Sequence, residues 1–466
     1  MSDRTSTPEV TIGGNQGEEN NMRHLTLYGA AAVLGACAAV AAVLPAHAED
    51  PGHFPGYTLK VKLIGGNQYD PLYARIPEWE KATGAKVEIL SSKNGFDLDK
   101  ELKADLASGA INWCAGWDHT SFMAQYGDLY ANLFDLVPKA TQATFFERTL
   151  QSAVIDGKLM LLPWHTDVSN MYYQKSLYAD PANQSAYQAK YGKALTPPDT
   201  IDDFRNQVEF FARPPTMYGT AFAGKEEGLN GRFYELLLSY GGTYIDKNYK
   251  PQFDSEAGVK ALQFFADIYK AKAVPAGTIN YLWDDIGQGF ASGSIAMDFD
   301  WPGWASYFND PKNSKIAGNV GVARAPAGPT GKRLGWSGSH GFSITKACDN
   351  KPAAVSFITW MTDYDTNMLE AHRGLMPANA KAFDDIIAEV KAKHDDYMTN
   401  VFTVWKASLA EDAYPVPHIP QWIEISNASY PEFQAAILGQ KTPKQALDAA
   451  QAKATQILQD AGLLKD

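Results

Sequence analysis

Residues 58–64, Thr-Leu-Lys-Val-Lys-Leu-Ile, alternate polar and apolar positions, the period of a half-buried strand. The run ends in Gly65-Gly66-Asn67, a loop signal. Over 71–83, Leu72, Ile76 and Trp79 fall at helical spacing, and Gly84 stands where a glycine closes a helix. A second strand over 86–90 and a helix over 98–107, with Leu98, Leu102 and Leu106 four apart, continue the pattern. Strand, helix, strand, helix predicts βαβ units and a parallel sheet. After 113–117 a helix is predicted to start at Asp118, His119 or Thr120. Segments 161–163 and 169–173 flank a short polar turn over 163–168. Further helices are predicted over 199–212, with Thr200 or Asp202 as N-cap, and over 232–240, 256–270, 352–362 and 443–464. Buried strands are predicted over 295–299 and 342–345. Proline and glycine concentrate at 325–335, which reads as a surface turn. No internal repeat interrupts this order.

Length and composition narrow the class. The chain has 466 residues, 45% apolar and 20% charged, the balance of a globular protein. That length predicts two or three domains or lobes. The net charge of −12, without a basic run, argues against nucleic acid or anionic lipid as partner. Three cysteines exclude a disulfide-rich scaffold and any Cys-only four-ligand zinc site. Cys114 and Cys348 lie far apart in apolar surroundings and are expected as buried thiols.

The N-terminus reads as an address. Met22-Arg23 precedes a nearly uncharged run over 25–44, ending in Pro45-Ala46-His47-Ala48. A basic start, an apolar middle and an A-x-A end make residues 1–48 a leader and secretory signal peptide, with translation starting at Met1 or Met22. Leu34-Gly35-Ala36-Cys37 resembles a lipoprotein cleavage box, so anchoring at Cys37 is the less favoured variant of export.

Motifs for catalysis are absent from the sequence: no G-x-S-x-G, no H-E-x-x-H, no P-loop. No cofactor and no metal is expected. His394-Asp395-Asp396 reads as the solvated face of a polar helix, and 335–341, Gly-Trp-Ser-Gly-Ser-His-Gly, does not match the dinucleotide fingerprint. What recurs is Trp beside Asp at element ends: Trp117-Asp118, Trp164 with Asp167, Asp298 and Asp300 with Trp301 and Trp304, and Trp336 opening a glycine-rich loop. An indole stacks on the C–H face of a sugar ring while carboxylates accept from its hydroxyls. In open α/β sheets such residues gather at the carboxyl ends of strands. Asp298 and Asp300, two apart on a strand, share a face, so a secreted carbohydrate-active enzyme is the alternative to a binding protein.

Several segments, in order, resemble the extracellular solute-binding proteins, family 1, of bacterial ABC importers. They are Thr83-Gly84-Ala85-Lys86-Val87, Leu133-Phe134-Asp135-Leu136, Leu162-Pro163 with Met171-Tyr172-Tyr173-Gln174-Lys175, Thr200-Ile201-Asp202-Asp203-Phe204, Tyr240-Gly241-Gly242, Phe290 with Gly293 and Ala296-Met297, and Gly374-Leu375-Met376-Pro377. Asn112-Trp113-Cys114 departs from the family's P-D-V strand. The resemblance implies a two-lobed α/β periplasmic-binding-protein fold (type II), each lobe a mostly parallel sheet flanked by helices. Lobe 1 would hold 49–165 plus 299–339, and lobe 2 would hold 166–298 plus 340–466, with C-terminal helices free to pack back on lobe 1. Crossings would fall near 163–169, 297–301 and 335–342. The implied ligand residues are Asn67, Gln68, Trp117, Asp118, Trp164, Asp167, Asp300, Trp301, Trp336 and Ser337. Arg373 stands beside the implied cleft and keeps a small organic anion open as ligand. The implied function is periplasmic: a monomer that captures a carbohydrate or polyol by hinge closure and delivers it to ABC permease transmembrane subunits.

Overall fold

A computed structural model describes residues 50–66 and 69–464. The signal peptide, Cys37, both start codons, Asn67 and Gln68 lie outside the described residues. Eleven strands are described: β1 (Thr58–Ile64), β2 (Lys86–Lys93), β3 (Ala115–His119), β4 (Val154–Ile155), β5 (Lys158–Leu159), β6 (Leu162–Val168), β7 (Asn170–Gln174), β8 (Met297–Asp300), β9 (Val320–Ala323), β10 (Gly335–Ile344) and β11 (Ala413–Pro415).

The first sheet runs β11-β10-β3-β1-β2, with β6 on the other edge of β10. β1 pairs in parallel with β2 and β3, as the strand–helix alternation predicts. β10 runs antiparallel to both β3 and β6. The second sheet, β8-β7-β9, is antiparallel throughout, unlike the mostly parallel sheet expected for each lobe. β7 follows β6 through Ser169 alone, so the chain passes directly from the first sheet into the second.

The helices follow from their sequences. The Glu256–Lys270 helix starts at Ser255, whose side chain accepts from the Gly258 N–H, and it buries Ala261, Leu262, Phe264, Phe265 and Ile268 along one stripe. Thr200 caps Ile201–Phe211 in the same way. The helix expected over 71–83 is split into Asp70–Tyr73 and Ile76–Thr83. Pro77 has no N–H to donate to Tyr73, so the ladder restarts there. Gly84 closes the second piece at φ 73°. The Glu226–Ser239 helix is buried on nearly all sides, so its Asn230, Arg232 and Glu235 must find partners inside the protein. His394 lies between two helices rather than within one, and Asp395 caps the second, Asp396–Glu411.

Around the first sheet, Leu59, Val61, Leu63, Trp79, Leu98, Leu102 and Trp164 form one core. That core also holds Phe342, Ile344, Phe357 and Ile358, although 340–466 is expected on the other lobe. Antiparallel pairing with β3 carries the end of β10, and the Lys351–Trp360 helix after it, onto this sheet. A second core gathers Phe233, Leu237, Phe253, Leu262, Phe265, Phe433 and Leu447, and includes Trp336 at the start of β10. A third holds Phe290, Ile295, Val322, Phe383, Phe402 and Trp405. Thus β10 begins in one core and ends in another.

The expectation of two free thiols is overturned. Cys114 and Cys348 form a disulfide, Cα atoms 4.4 Å apart across 234 residues of chain. Ala115 pairs with Ile344, and the Thr345 N–H donates to the Cys114 carbonyl. The start of β3 and the turn after β10 therefore meet at one end of the sheet, and distance along the chain is no obstacle. Among the described residues no helix is long and apolar enough to cross a membrane.

Candidate functional site

Two segments expected as loops are strands, and this decides the site. Trp164 and Asp167, expected at a turn, sit within β6, and Trp336 opens β10 rather than a glycine-rich loop. The helix expected to start at Asp118 does not form; β3 continues to His119 and a 3₁₀ turn follows at Met123–Tyr126. Register then places His340 directly opposite His119 on one side and His165 on the other. Three imidazoles thus stand in a row across three adjacent strands. The His165 and His340 rings are 4.2 Å apart and stacked, and those of His119 and His340 are 4.8 Å apart, edge to face. The Tyr69 ring lies parallel to His165 at 6.2 Å.

Asp167 occupies the next row on the same face, opposite Gly338. Its Oδ2 is 3.6 Å from Nε2 of both His165 and His340. His165 Nδ1 lies 3.4 Å from the fully buried Glu370. Burial alone would pull His165 down, but Asp167 and Glu370 outweigh it and hold the imidazole at about 10. Burial pushes Glu370 up to about 7, against the pull of His165. The other two rings behave oppositely. Burial lowers His119 to about 4, against Asp167. His340 falls well below its ordinary value through burial and its two imidazole neighbours. At neutral pH the row holds one imidazolium and two neutral rings.

Hydrogen bonds fix those neutral rings. The Trp117 Nε1–H donates to His340 Nδ1 at 3.0 Å, and the Ser121 backbone N–H donates to His119 Nδ1 at 3.1 Å. Trp117 is therefore a buried positioning group whose indole aims His340.

A different cluster surrounds the start of β10. Arg232, 4% exposed, donates to Ser169, Glu235 and Asp300 at 2.8, 2.9 and 2.9 Å. Its guanidinium lies between 5.2 and 5.9 Å from the rings of Trp283, Phe299, Trp301 and Trp336. Trp301 meets Trp336 at 4.7 Å and Trp283 at 5.6 Å, both edge to face. Trp283 and Trp301 remain half-buried. Glu235 also accepts the Trp336 backbone N–H at 2.6 Å. Asp298, with no hydrogen-bond partner among the described residues, and Asp300 are both fully buried. Burial raises both, Asp298 well above the ordinary carboxylate range, since only Asp300 holds the guanidinium directly. A cavity of about 30 Å³ beside Arg232 is lined by Phe204, Phe222, Phe264 and Phe265; it has room for a single water.

The expected residues therefore divide. Asp167 and Trp117 join the histidine row, and Asp300, Trp301 and Trp336 join the Arg232 cluster. Asp118 points to the opposite face of β3 from Trp117 and His119, buried beside Tyr130. Trp164 packs against Tyr69, Tyr73 and Phe342 in the first core. Ser337 is buried and alternates to the face opposite Trp336. Arg373 is exposed at the end of the Tyr364–His372 helix. The residues not anticipated are His119, His165, His340, Glu370 and Arg232. Each histidine lies within four residues of a Trp or Asp already singled out, and a period-2 reading of 335–344 would have found His340.

A family model described as bacterial extracellular solute-binding protein matches residues 65–368. The mannitol-binding protein of Pseudomonas aeruginosa is 26% identical over 324 residues, 67% of this chain and 72% of that one. A probable ABC transporter-binding protein of Deinococcus radiodurans is 26% identical over 340 residues, 71% of this chain and 76% of that one. The solved structure of maltose-bound MalE3 from T. maritima superposes with a TM-score of 0.72 at 25% identity, covering 86% of this chain and 100% of that one.

Proposed function

Since the chain belongs to the bacterial extracellular solute-binding proteins, we propose that it is the substrate-binding component of an ABC importer and captures a neutral sugar or polyol. Capture occurs between two lobes that close about β6 and β10, and the closed form hands the solute to permease transmembrane subunits. The first lobe comprises 50–165 with 341–362, and the second most of the remainder. The protein is exported by residues 1–48 and acts in the periplasm as a monomer. The Cys114–Cys348 disulfide supports an oxidising compartment.

The observation that carries this reading is the pairing of chemistries on β10. Half-open indoles of Trp301 and Trp283 adjoin Trp336, and the imidazole row with Asp167 adjoins His340. Stacking surface beside hydrogen-bonding groups suits a polyhydroxylated ligand. The mannitol relative and the maltose-bound structure support the same class. Asp300 is engaged by Arg232, and both it and Asp298 are fully buried, which speaks against their use as a hydrolytic pair.

Thermal unfolding against D-mannitol, ribitol, maltose, amino acids and organic acids tests this. A ligand at 100 times its dissociation constant adds about 2.7 kcal/mol, a rise of a few degrees in Tm. A rise with a sugar or polyol that is not consumed is expected. Consumption of the sugar, or a rise with amino acids or acids alone, would overturn the assignment.

A further inference from the structure

We propose that His119, His340 and Asp167 form a hydroxyl-reading set over Gly338, selecting a neutral polyhydroxylated solute against its acid and amine counterparts and against metal ions; this rests on the solute-binding function proposed above. One ring nitrogen of each histidine and a carboxylate oxygen of Asp167 lie within 4.8 Å of one another, and His340 offers its Nε2. All three side chains keep part of their surface open. Gly338 makes the room. It lies between Trp336 and His340 on one face of β10, and a Cβ there would stand 2.7 Å from His119 Nε2.

Two histidines and a carboxylate at that spacing suggest a transition metal at first sight, and the hydrogen bonds argue against one. A metal takes the lone pair of a neutral ring nitrogen. Here Trp117 Nε1–H and Ser121 N–H each donate to Nδ1, so the Nδ1 lone pairs are used and both rings carry their proton on Nε2. The nitrogens that face the site are N–H donors, with no lone pair to give. Charging either ring would require a second proton at Nδ1, aimed into the N–H already there.

The set therefore offers two neutral donors and one anionic acceptor. Oδ2 of Asp167 lies 3.6 Å from His340 Nε2, beyond hydrogen-bond length, so its acceptor capacity is not consumed by that ring. The same Oδ2 lies 3.6 Å from Nε2 of His165. A hydroxyl satisfies both kinds of group: it accepts from an imidazole N–H and donates to the carboxylate. Two adjacent hydroxyls match two donors and one two-oxygen acceptor. A ligand carboxylate would accept from the imidazoles but face Asp167 at close range. A ligand ammonium would suit Asp167 but bring its protons against two N–H groups.

Two measurements test this. The first needs no ligand: a long-range 1H–15N spectrum of the imidazoles, with His119→Gln and His340→Gln used for assignment. Both rings should show the neutral Nε2–H form from pH 5.5 to 8. An Nδ1–H form or a charged ring at either position overturns the set, whatever the protein carries. The second is calorimetry with D-mannitol, D-mannonate, D-glucamine and zinc. D-Mannitol should bind at least tenfold tighter than the acid or the amine, and zinc should give no heat. Asp167→Asn should weaken D-mannitol at least tenfold and narrow its lead over D-mannonate. Gly338→Ala, whose Cβ would push the His119 ring out of place, should do so too. Preference for the acid, the amine or zinc overturns the set and leaves a solute-binding protein with another ligand class. Silence toward all four probes, with maltose and ribitol also silent, overturns both the set and the neutral-solute assignment.

Discussion

The histidine row and the Arg232 cluster meet the same strand and solve opposite problems. At Arg232 a full charge is buried, and the fold neutralises it internally with Glu235, Asp300 and four aromatic rings. The polar atoms left without a partner there, on Asp298, Asp300 and Trp336, are buried. At the histidine row two rings are kept uncharged, and their N–H groups and the Asp167 carboxylate are left incompletely paired. The first cluster is a closed electrostatic unit that presents an apolar surface. The second is an open one that presents hydrogen-bonding capacity. Stability and recognition are thus separated along β10.

That contrast can be broken most severely at Arg232. Arg232→Met should destabilise the protein by about 3–5 kcal/mol in urea unfolding, because Glu235 and Asp300 would stay buried without their cation. A loss below about 1 kcal/mol would mean that the cluster is not a closed unit. Next in size is the disulfide, which ties β3 to the end of β10 beneath the histidine row. A Cys114→Ser/Cys348→Ser double variant should lose about 2–4 kcal/mol, while the wild type treated with reductant should follow it toward the same midpoint. Trp301→Leu sharpens the comparison from the ligand side. Loss of a stacking face is worth about 0.5–1.5 kcal/mol, so affinity for a bound sugar should fall by about three- to tenfold, with a lower Tm from the lost contacts to Arg232 and Trp336. An unchanged affinity would remove Trp301 from the site.

The last effect is in pH. The raised imidazolium of His165 stabilises the fold below about 6.5, and this contribution is lost as pH rises toward about 10. His119, held down at about 4, does the reverse: the unfolded chain takes up its proton first, so stability falls as pH drops from about 6.5 toward 4. Tm should therefore decline on both sides of neutrality, by a few degrees on the scale expected for such shifts. His165→Gln should flatten the alkaline limb and ease the acid one, since His165 helps hold His119 and His340 down.

Much of the fold was legible in the sequence because its elements obey local periods. Thr58–Ile64 and Glu256–Lys270 form with the bounds their patterns predict, although Lys62 is buried where the alternation puts it outside. The site was harder to read for a local reason as well. Glycine at 335, 338 and 341 marks a loop by composition, yet those positions are close approaches: a Cβ at Gly341 would meet the Leu162 carbonyl at 2.5 Å. Reading a loop hid the alternation that puts Trp336, Gly338 and His340 on one face. The same lapse paired Trp117 with Asp118, although neighbours on a strand point apart. Arg232 was hidden differently: Glu235 lies at i+3 on its own helix, but Asp300 comes from β8. The disulfide needed the β3–β10 register, which no local pattern encodes.

Because Trp336 and His340 ride on one strand, their separation is a property of the covalent chain. Four residues reach at most about 13–14 Å even when fully extended. However far the two halves of the molecule swing apart, the stacking surface and the imidazoles cannot part company beyond that tether. The molecule carries a built-in yardstick, and a solute is measured against it before any closure begins.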